Sequence, residues 1–351
     1  MKGKRPMIIA GPCSAETEEQ TIRTCGELAA TGMVDVIRAG VWKPRTRPGG
    51  FEGVGEPALA WLARAKRETG LPFGVEVANS RHVHTALSYG ADMVWIGART
   101  TVNPFSVQEI ADALKGSAVK VFIKNPISPD IALWGGAVER IAGAGIPREN
   151  IGLIHRGFAH VGGGNGYRNP PMWHQAIEMR RRYPDIVLLC DPSHICGRRD
   201  YIAEVAQKAA DLFYDGLIVE SHTEPDKALS DAAQQLTPAD LKTMLQSIVW
   251  RSPNADSPEF REALAECRRE IDDIDAELFS LMSRRMGVAD RIGRIKKENN
   301  VMILQGGRWN EIMEKTIAQS EGLNLSPDFI RAILEAVHLE SIAHQNRVMN
   351  E

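Results

Sequence analysis

IVLLCDPSHICGRRDYIAEVAQKAADLFYDGLIVE, residues 186–220, holds one complete unit of the pattern that runs through most of this chain. Two short apolar, β-branched runs, IVLLCD (186–191) and GLIVE (216–220), enclose a stretch of helical spacing over residues 201–212. The unit recurs upstream. Runs at MIIAG (7–11), VDVIRAG (34–40), FGVEV (73–77), DMVWIG (92–97), VKVFIK (119–124) and NIGLIH (150–155) bring the total to eight, with helix-like segments at 57–69, 80–89 and 105–114 among them. Eight strand–helix units in about 250 residues have the size and rhythm of a (β/α)8 TIM barrel. A doubly wound open sheet shares the alternation, but it commonly uses fewer strands, and no GxGxxG follows the first run.

At Arg251 the pattern changes. RSPNADSP (251–258) has two prolines and no large apolar residue and reads as a linker. Beyond it no strand-like run occurs. Phe260, Leu264, Cys267, Ile271, Ile274, Leu278 and Leu281 follow at steps of three and four, which predicts one long helix from Glu259 to about Glu298. Gly306–Gly307 breaks it, a second helix is expected over 308–320, and Ser326–Pro327 supplies the N-cap and first turn of a third. The expected organisation is a barrel over 1–250, a linker over 251–258 and an all-α domain over 259–351. So long an apolar seam exceeds what two shorter helices can cover, which predicts a homodimer through this region.

The bulk numbers narrow the function classes. Of 351 residues 43% are hydrophobic, enough for a proper core, and the net charge of −3 argues against nucleic acid as a partner. No apolar run approaches the roughly 18 residues of a membrane span, and the opening MKGKRPMIIAGPC is too short in apolar residues for a secretory signal. The first strand starts so early that little room is expected ahead of it for a regulatory domain. Five scattered cysteines do not form a disulfide framework, so a reducing cytoplasm is expected.

Function in such a barrel sits where strands end. The eight ends, in order, offer Cys13; Arg38, then Lys43 and Arg45; Glu76; Arg99; Lys124; Arg156; Asp191 and His194; and Glu220, followed by His222 and Asp231. At least five cations in one cavity repel each other unless anions share it, so the mouth reads as a site for substrates rich in phosphate and carboxylate. Cys13, His194, Glu220 and Asp231 combine a thiolate, an imidazole and two carboxylates, a donor set for a divalent transition metal. Cys190-x3-His194-x-Cys196 is a possible zinc cluster on spacing, but Cys190 lies within an apolar run and reads as core; His82 and His84 read as surface histidines.

GPCSAE (11–16), IRAGVWKPRT (37–46), GART (97–100), FIK (122–124), HRG (155–157), DPSHICGRR (191–199) and GLIVESHTEPDKALSDAAQQL (216–236) resemble, in order, the type I 3-deoxy-D-arabino-heptulosonate 7-phosphate (DAHP) synthases. The resemblance implies a metal-dependent, aldol-like condensation of phosphoenolpyruvate with erythrose 4-phosphate. It implies Cys13, His194, Glu220 and Asp231 as ligands of a divalent ion, manganese first, with iron, zinc or cobalt as alternatives. Arg38, Lys43, Arg99, Lys124 and Arg156 fall on positions that hold phosphoenolpyruvate, and Lys43-Pro44-Arg45-Thr46 on the motif that holds the aldose phosphate. Lys43 and Lys124 are the candidate catalytic lysines; Lys124 is a proton donor by hypothesis, since lysine shifts its pKa readily on desolvation. The same branch contains the 3-deoxy-D-manno-octulosonate 8-phosphate synthases. These take a longer aldose and carry an asparagine-bearing stretch where this chain has KPRT (43–46), a difference that favours erythrose 4-phosphate.

In the tail, the seam Ile274–Leu278–Leu281 resumes at Val288, Ile292 and Ile295, but Arg285 interrupts it. Lys296, 11 residues on, lies about 20° round the helix and roughly 16 Å along it, so the two cations share a face. Arg268 points about 100° away, as toward a pocket in a partner subunit. LAECRREIDDIDAELFSLMSRRMGVADRIGRIKK (264–297), GGRWNEIM (306–313) and LESIAHQ (339–345) resemble the all-helical chorismate mutases. That resemblance implies rearrangement of chorismate to prephenate without a cofactor. Arg268, Arg285, Arg308 and Ser341 take carboxylate-binding positions, and Lys296 and Gln345 the ether-oxygen pair, with Arg285 and Lys296 catalytic. Gln305 and Trp309 stand where acids are common; Gln305 can still bond the substrate hydroxyl, Trp309 cannot replace a carboxylate. The tail reads as a working mutase, as a dimerising sensor of prephenate or chorismate that throttles the barrel, or as both.

Overall fold

The computed structural model describes residues 5–43, 49–159, 166–252, 257–304, 311–312, 314–316 and 322–351. The chain divides into two compact units, Met1–Pro253 and Asn254–Glu351. In the first, β1 (Met7–Gly11), β2 (Val36–Ala39), β3 (Phe73–Val77), β4 (Met93–Ile96), β5 (Lys120–Lys124), β6 (Ile151–His155), β7 (Val187–Cys190) and β8 (Gly216–Glu220) close into a parallel barrel. β1 closes the ring against β8 in the register Ile9↔Ile218. The helices are α1 (Glu18–Ala30), α2 (Glu56–Thr69), α3 (Ser80–Ser88), α4 (Ala98–Thr101), α5 (Pro104–Leu114), α6 (Ile131–Gly143), α7 (Trp173–Arg182), α8 (Pro192–Cys196), α9 (Ile202–Asp211) and α10 (Pro238–Ser247).

Side chains alternate in direction along a strand, and the alternation separates two cores. Outward residues such as Ile8, Ile37, Val75, Val121 and Leu188 pack under the helices. Inward residues Ile9, Val36, Met93, Trp95, Phe122, Ile154, Leu189 and Ile218 fill the barrel interior. Two residues further along the same inward rows come Arg38, Lys124, Arg156, Asp191 and Glu220. The apolar plug is therefore a floor, and charged residues line the space above it.

The second unit contains α11 (Pro258–Glu298) and α12 (Pro327–Asn350). Ser257 and Ser326 cap their first turns by accepting from Phe260 N and Phe329 N, each at 3.2 Å, with Pro258 and Pro327 next in line. On α11 the buried positions are Met286, Ala289 and Gly293; on α12 they are Ile330, Ser341, Gln345 and Val348. Small residues permit the approach: a Cβ on Gly293 would lie 3.1 Å from Gln345 Cα. The apolar seam read from the sequence stays largely uncovered within this unit. Ile271, Ile274, Leu278 and Leu281 are about half exposed, since the small-residue stripe beside the seam makes the contact and leaves the large apolar side chains outside. The expected helix over 308–320 falls mostly outside the described residues. No helix among the described residues is long and apolar enough to cross a membrane.

Candidate active sites

One donor atom each from Cys13, Glu220 and Asp231 lie within 4.8 Å of one another. Cys13 follows β1, Glu220 ends β8, and Asp231 sits in the loop after β8 with a left-handed φ of 48°. His194 lies just outside that trio, its Nε2 3.7 Å from Glu220 Oε1. It rides on the short helix α8, whose first turn is capped by Asp191 accepting from His194 N at 3.1 Å. Asp191 Oδ2 also lies 2.8 Å from His194 Nδ1, at ion-pair distance but off the line of a hydrogen bond.

The electrostatics are those of buried groups with opposed neighbours. Burial, and next the charge of Glu220, push the Cys13 thiol up to about 12, against the pull of Lys43. Burial would raise Glu220 as well, but His194, Arg38 and Lys43 outweigh it and hold the carboxyl below its ordinary value. Asp191 and Asp231 are likewise held low against burial, Asp191 by His194 and Lys124, Asp231 by Arg168 first. Burial depresses His194 below its ordinary value despite the carboxylates beside it.

Arg38, Lys43, Lys124 and Arg156 have internal partners above the apolar floor that strand ends alone did not reveal. Arg38, buried, donates to Glu220 Oε1 at 2.8 Å and to Cys13 O at 3.1 Å, and its guanidinium lies 5.1 Å from the Trp95 ring centroid. Lys43 Nζ donates to Cys13 Sγ at 2.9 Å and to Cys13 O at 3.1 Å. Lys124 Nζ donates to Asp191 Oδ2 at 3.1 Å. Arg156 is pulled down to about 10, by burial first and by Arg168 and Arg99 against the opposing pull of Asp191. Arg99, on α4, is exposed. Glu76, the acid at the third strand end, accepts from Trp95 Nε1 at 2.9 Å. Pro44, Arg45 and Thr46 lie outside the described residues.

Other readings need adjustment. His82 is not a bare surface histidine: it is half-buried and stacks on Trp42 with centroids 4.0 Å apart, while His84 is exposed. Cys190 is fully buried, as a core thiol would be. Sequence reasoning missed Arg168, Asn169, Gln234 and Gln235. Arg168 Nη1 donates to Asp231 Oδ1 at 2.9 Å and to Gln234 Oε1 at 2.8 Å, and Gln234 Nε2 donates to Glu220 Oε2 at 2.6 Å. Gln235 Oε1 accepts from Cys13 N at 2.9 Å. These residues lie away from the strand ends, so the periodicity carried no signal for them.

In the helical unit, Arg285 and Lys296 both reach α12. Arg285 Nη1 donates to Ser341 Oγ, and Lys296 Nζ donates to Gln345 Oε1 at 3.1 Å and to Ile303 O at 2.6 Å. Arg268 is exposed on α11, and Gln305, Arg308 and Trp309 are outside the described residues.

A closed parallel barrel with buried cations and a thiol–carboxylate cluster at its strand ends defines the class to which the comparisons add the family. Residues 2–254 match the model of the DAHP synthetase I family, and residues 267–346 match chorismate mutase type II. A phospho-2-dehydro-3-deoxyheptonate aldolase of Thermotoga maritima is 33% identical, over 69% of this chain and 68% of that protein. A 2-dehydro-3-deoxyphosphooctonate aldolase of Geobacter metallireducens is 28% identical over 71% and 93%. The crystal structure of the Thermotoga maritima DAHP synthase matches with a TM-score of 0.61 at 32% identity, over 68% of this chain and 67% of that one. A truncated form of the Thermotoga enzyme gives 0.59 at 30%, over 68% and 84%. The chain belongs to the DAHP synthetase I family. It is a bifunctional enzyme whose second part is a chorismate mutase domain, and its two activities belong to aromatic biosynthesis.

Proposed function

We propose that the barrel condenses phosphoenolpyruvate with erythrose 4-phosphate in a metal-dependent reaction, and that the helical unit converts chorismate to prephenate and reports its occupancy to the barrel. The observation that carries the first part is the convergence of a thiol, two carboxylates and an imidazole beside Arg38, Lys43 and Lys124.

The donor set fits a divalent cation. Cys13 is buried against two carboxylates that oppose its ionisation, a burden that a bound cation reverses. His194 offers Nε2 toward Glu220, with Asp191 2.8 Å from Nδ1 on the other side of the ring. Cys13, His194, Glu220 and Asp231 would hold the ion, with manganese favoured by the carboxylates. When bound, it supplies Lewis acidity toward the aldehyde oxygen.

The chain's own groups do the rest. Arg38, Lys43, Arg99, Lys124 and Arg156 grip the phosphate and carboxylate of phosphoenolpyruvate, and Lys43 with Pro44, Arg45 and Thr46 grips the aldose phosphate. C3 of phosphoenolpyruvate then forms the new bond to the aldehyde carbon, the aldehyde oxygen takes up a proton, water adds at C2 and phosphate leaves. The cations offset the change of charge at each stage. Lys124, held toward the cavity by Asp191, is the proton donor in this scheme.

In the mutase, Arg285 with Ser341 binds a carboxylate, and Lys296 with Gln345 faces the ether oxygen. The resemblance to the helical mutases gives Arg308 and Gln305 substrate-binding roles as well, and Arg268 a role in the pocket of a second copy. The half-exposed seam of α11 supports a homodimer. Five unpaired cysteines support a reducing cytoplasm.

Purified protein offered phosphoenolpyruvate with erythrose 4-phosphate, phosphoenolpyruvate with arabinose 5-phosphate, and chorismate tests the assignment. Turnover is expected with the first and third; preference for arabinose 5-phosphate would replace the barrel reading with the octulosonate one. Arg285→Ala separates mutase from sensor: loss of chorismate turnover marks a mutase, whereas an effect on inhibition of the barrel alone marks a sensor.

A further inference from the structure

The loop between β6 and α7 carries side chains that no part of the reading above uses. Asn169 is almost completely buried, at 8% exposure. Its Oδ1 accepts from Arg156 Nη1 at 2.7 Å, and its Nδ2 donates to the backbone oxygen of His194 at 2.6 Å. Its backbone is pinned on the same side, with Asn169 N donating to Ile195 O at 3.1 Å and Arg168 N to Cys196 O at 3.3 Å. On the other side the loop closes on Gly157, whose φ is +77° and whose missing Cβ would lie 2.1 Å from Asn169 O. Only glycine permits both that conformation and that approach. Below, His155 Nε2 donates to Pro171 O at 2.6 Å and anchors the far end of the loop to the floor of the barrel.

Among the described residues the Arg156 guanidinium donates only to neutral acceptors, Asn169 Oδ1 and, at 3.4 Å, Gly157 O. Its position is thus fixed without a carboxylate spending its charge on it, and that charge stays available to an anion. Among the described residues Asn169 is the one side chain bonded both to this arginine and to the turn that bears His194.

We propose that Asn169 is a positioning residue that holds the anion-binding Arg156 and the metal-binding His194 in one register, so that phosphoenolpyruvate and the divalent cation are gripped as a pair. The proposal rests on the site reading above. Arg168 does the matching task for the carboxylates, through Asp231 directly and through Gln234 to Glu220.

The test uses the full chain. Phosphoenolpyruvate affinity is measured by calorimetry, and Mn2+ affinity by the electron paramagnetic resonance signal of the free ion, with the melting temperature of the metal-free chain as fold control. Asn169→Ala is expected to weaken phosphoenolpyruvate about tenfold, the scale of one hydrogen bond to a charged group. It is expected to weaken Mn2+ by about tenfold or more, the scale of a lost partner to a ligand. Asn169→Asp keeps an acceptor for Arg156 but puts an oxygen where His194 O needs a donor, so Mn2+ weakens at least as much as with alanine. Parental Mn2+ affinity in either variant, or parental phosphoenolpyruvate affinity in Asn169→Ala, overturns the proposal. If the parent itself binds no Mn2+, the metal reading has failed instead, and the phosphoenolpyruvate arm still judges the Arg156–Asn169 contact.

Discussion

His155 shows how a single residue can be visible in sequence and yet be read for the wrong feature. In HRG (155–157) the arginine draws attention, but the histidine is fully buried, accepts from the Tyr214 hydroxyl at 2.8 Å and donates to Pro171 O. Those two bonds use one nitrogen as acceptor and the other as donor, which fixes the neutral tautomer. Burial accordingly pulls its pKa down from 6.5 to about 4. The sign follows. Between pH 6.5 and 4 the unfolded chain takes up a proton that the folded barrel refuses, so stability falls as pH falls through that window, by at most roughly 3 kcal/mol. Denaturant midpoints measured from pH 7 to 4.5 should drop for the parent and drop less for His155→Gln; parallel curves would remove His155 from the account. Lys124→Arg makes a second residue-scale prediction. The charge remains for binding, but the proton is held too tightly to give up, so kcat should fall by about 100-fold or more with little change in KM for phosphoenolpyruvate. Full turnover would exclude the donor role. Residues of this kind were legible because chemistry and strand period coincide at β ends. Asn169 and Arg168 were not, because a loop's partners are chosen by tertiary packing that no local pattern encodes.

At the scale of elements, the eight apolar runs and the eight strands agree to within one or two residues at each end, which is the usual spread of element boundaries. The long helix was equally plain, since serine caps and prolines mark the starts of α11 and α12. Its packing face was not. The eye follows large apolar residues, whereas the contact between α11 and α12 is made where Ala289 and Gly293 let the backbones approach. Gly293→Val should therefore force α12 away, move Gln345 off Lys296, and lower chorismate turnover about tenfold or more while leaving condensation intact. Steady-state assays of both reactions on the one variant check this; undiminished mutase activity would show that the approach at Gly293 is dispensable.

For the whole molecule, two compact units with different chemistry share one chain. The exposed seam of α11 makes Ile274, Leu278 and Leu281 the expected centre of a dimer. On the proposed dimer, replacing Ile274 and Leu281 by glutamate should give monomer in sedimentation and lower chorismate turnover, since that proposal has Arg268 serving the pocket of the second copy. The central claim is that one mouth works through a bound cation and the other through fixed charges alone. Its most direct test is a single sample of the protein assayed for both reactions before and after chelation. Chelation should abolish the condensation of phosphoenolpyruvate with erythrose 4-phosphate, Mn2+ should restore it, and chorismate turnover should be unchanged throughout. Condensation that survives exhaustive chelation would contradict the account.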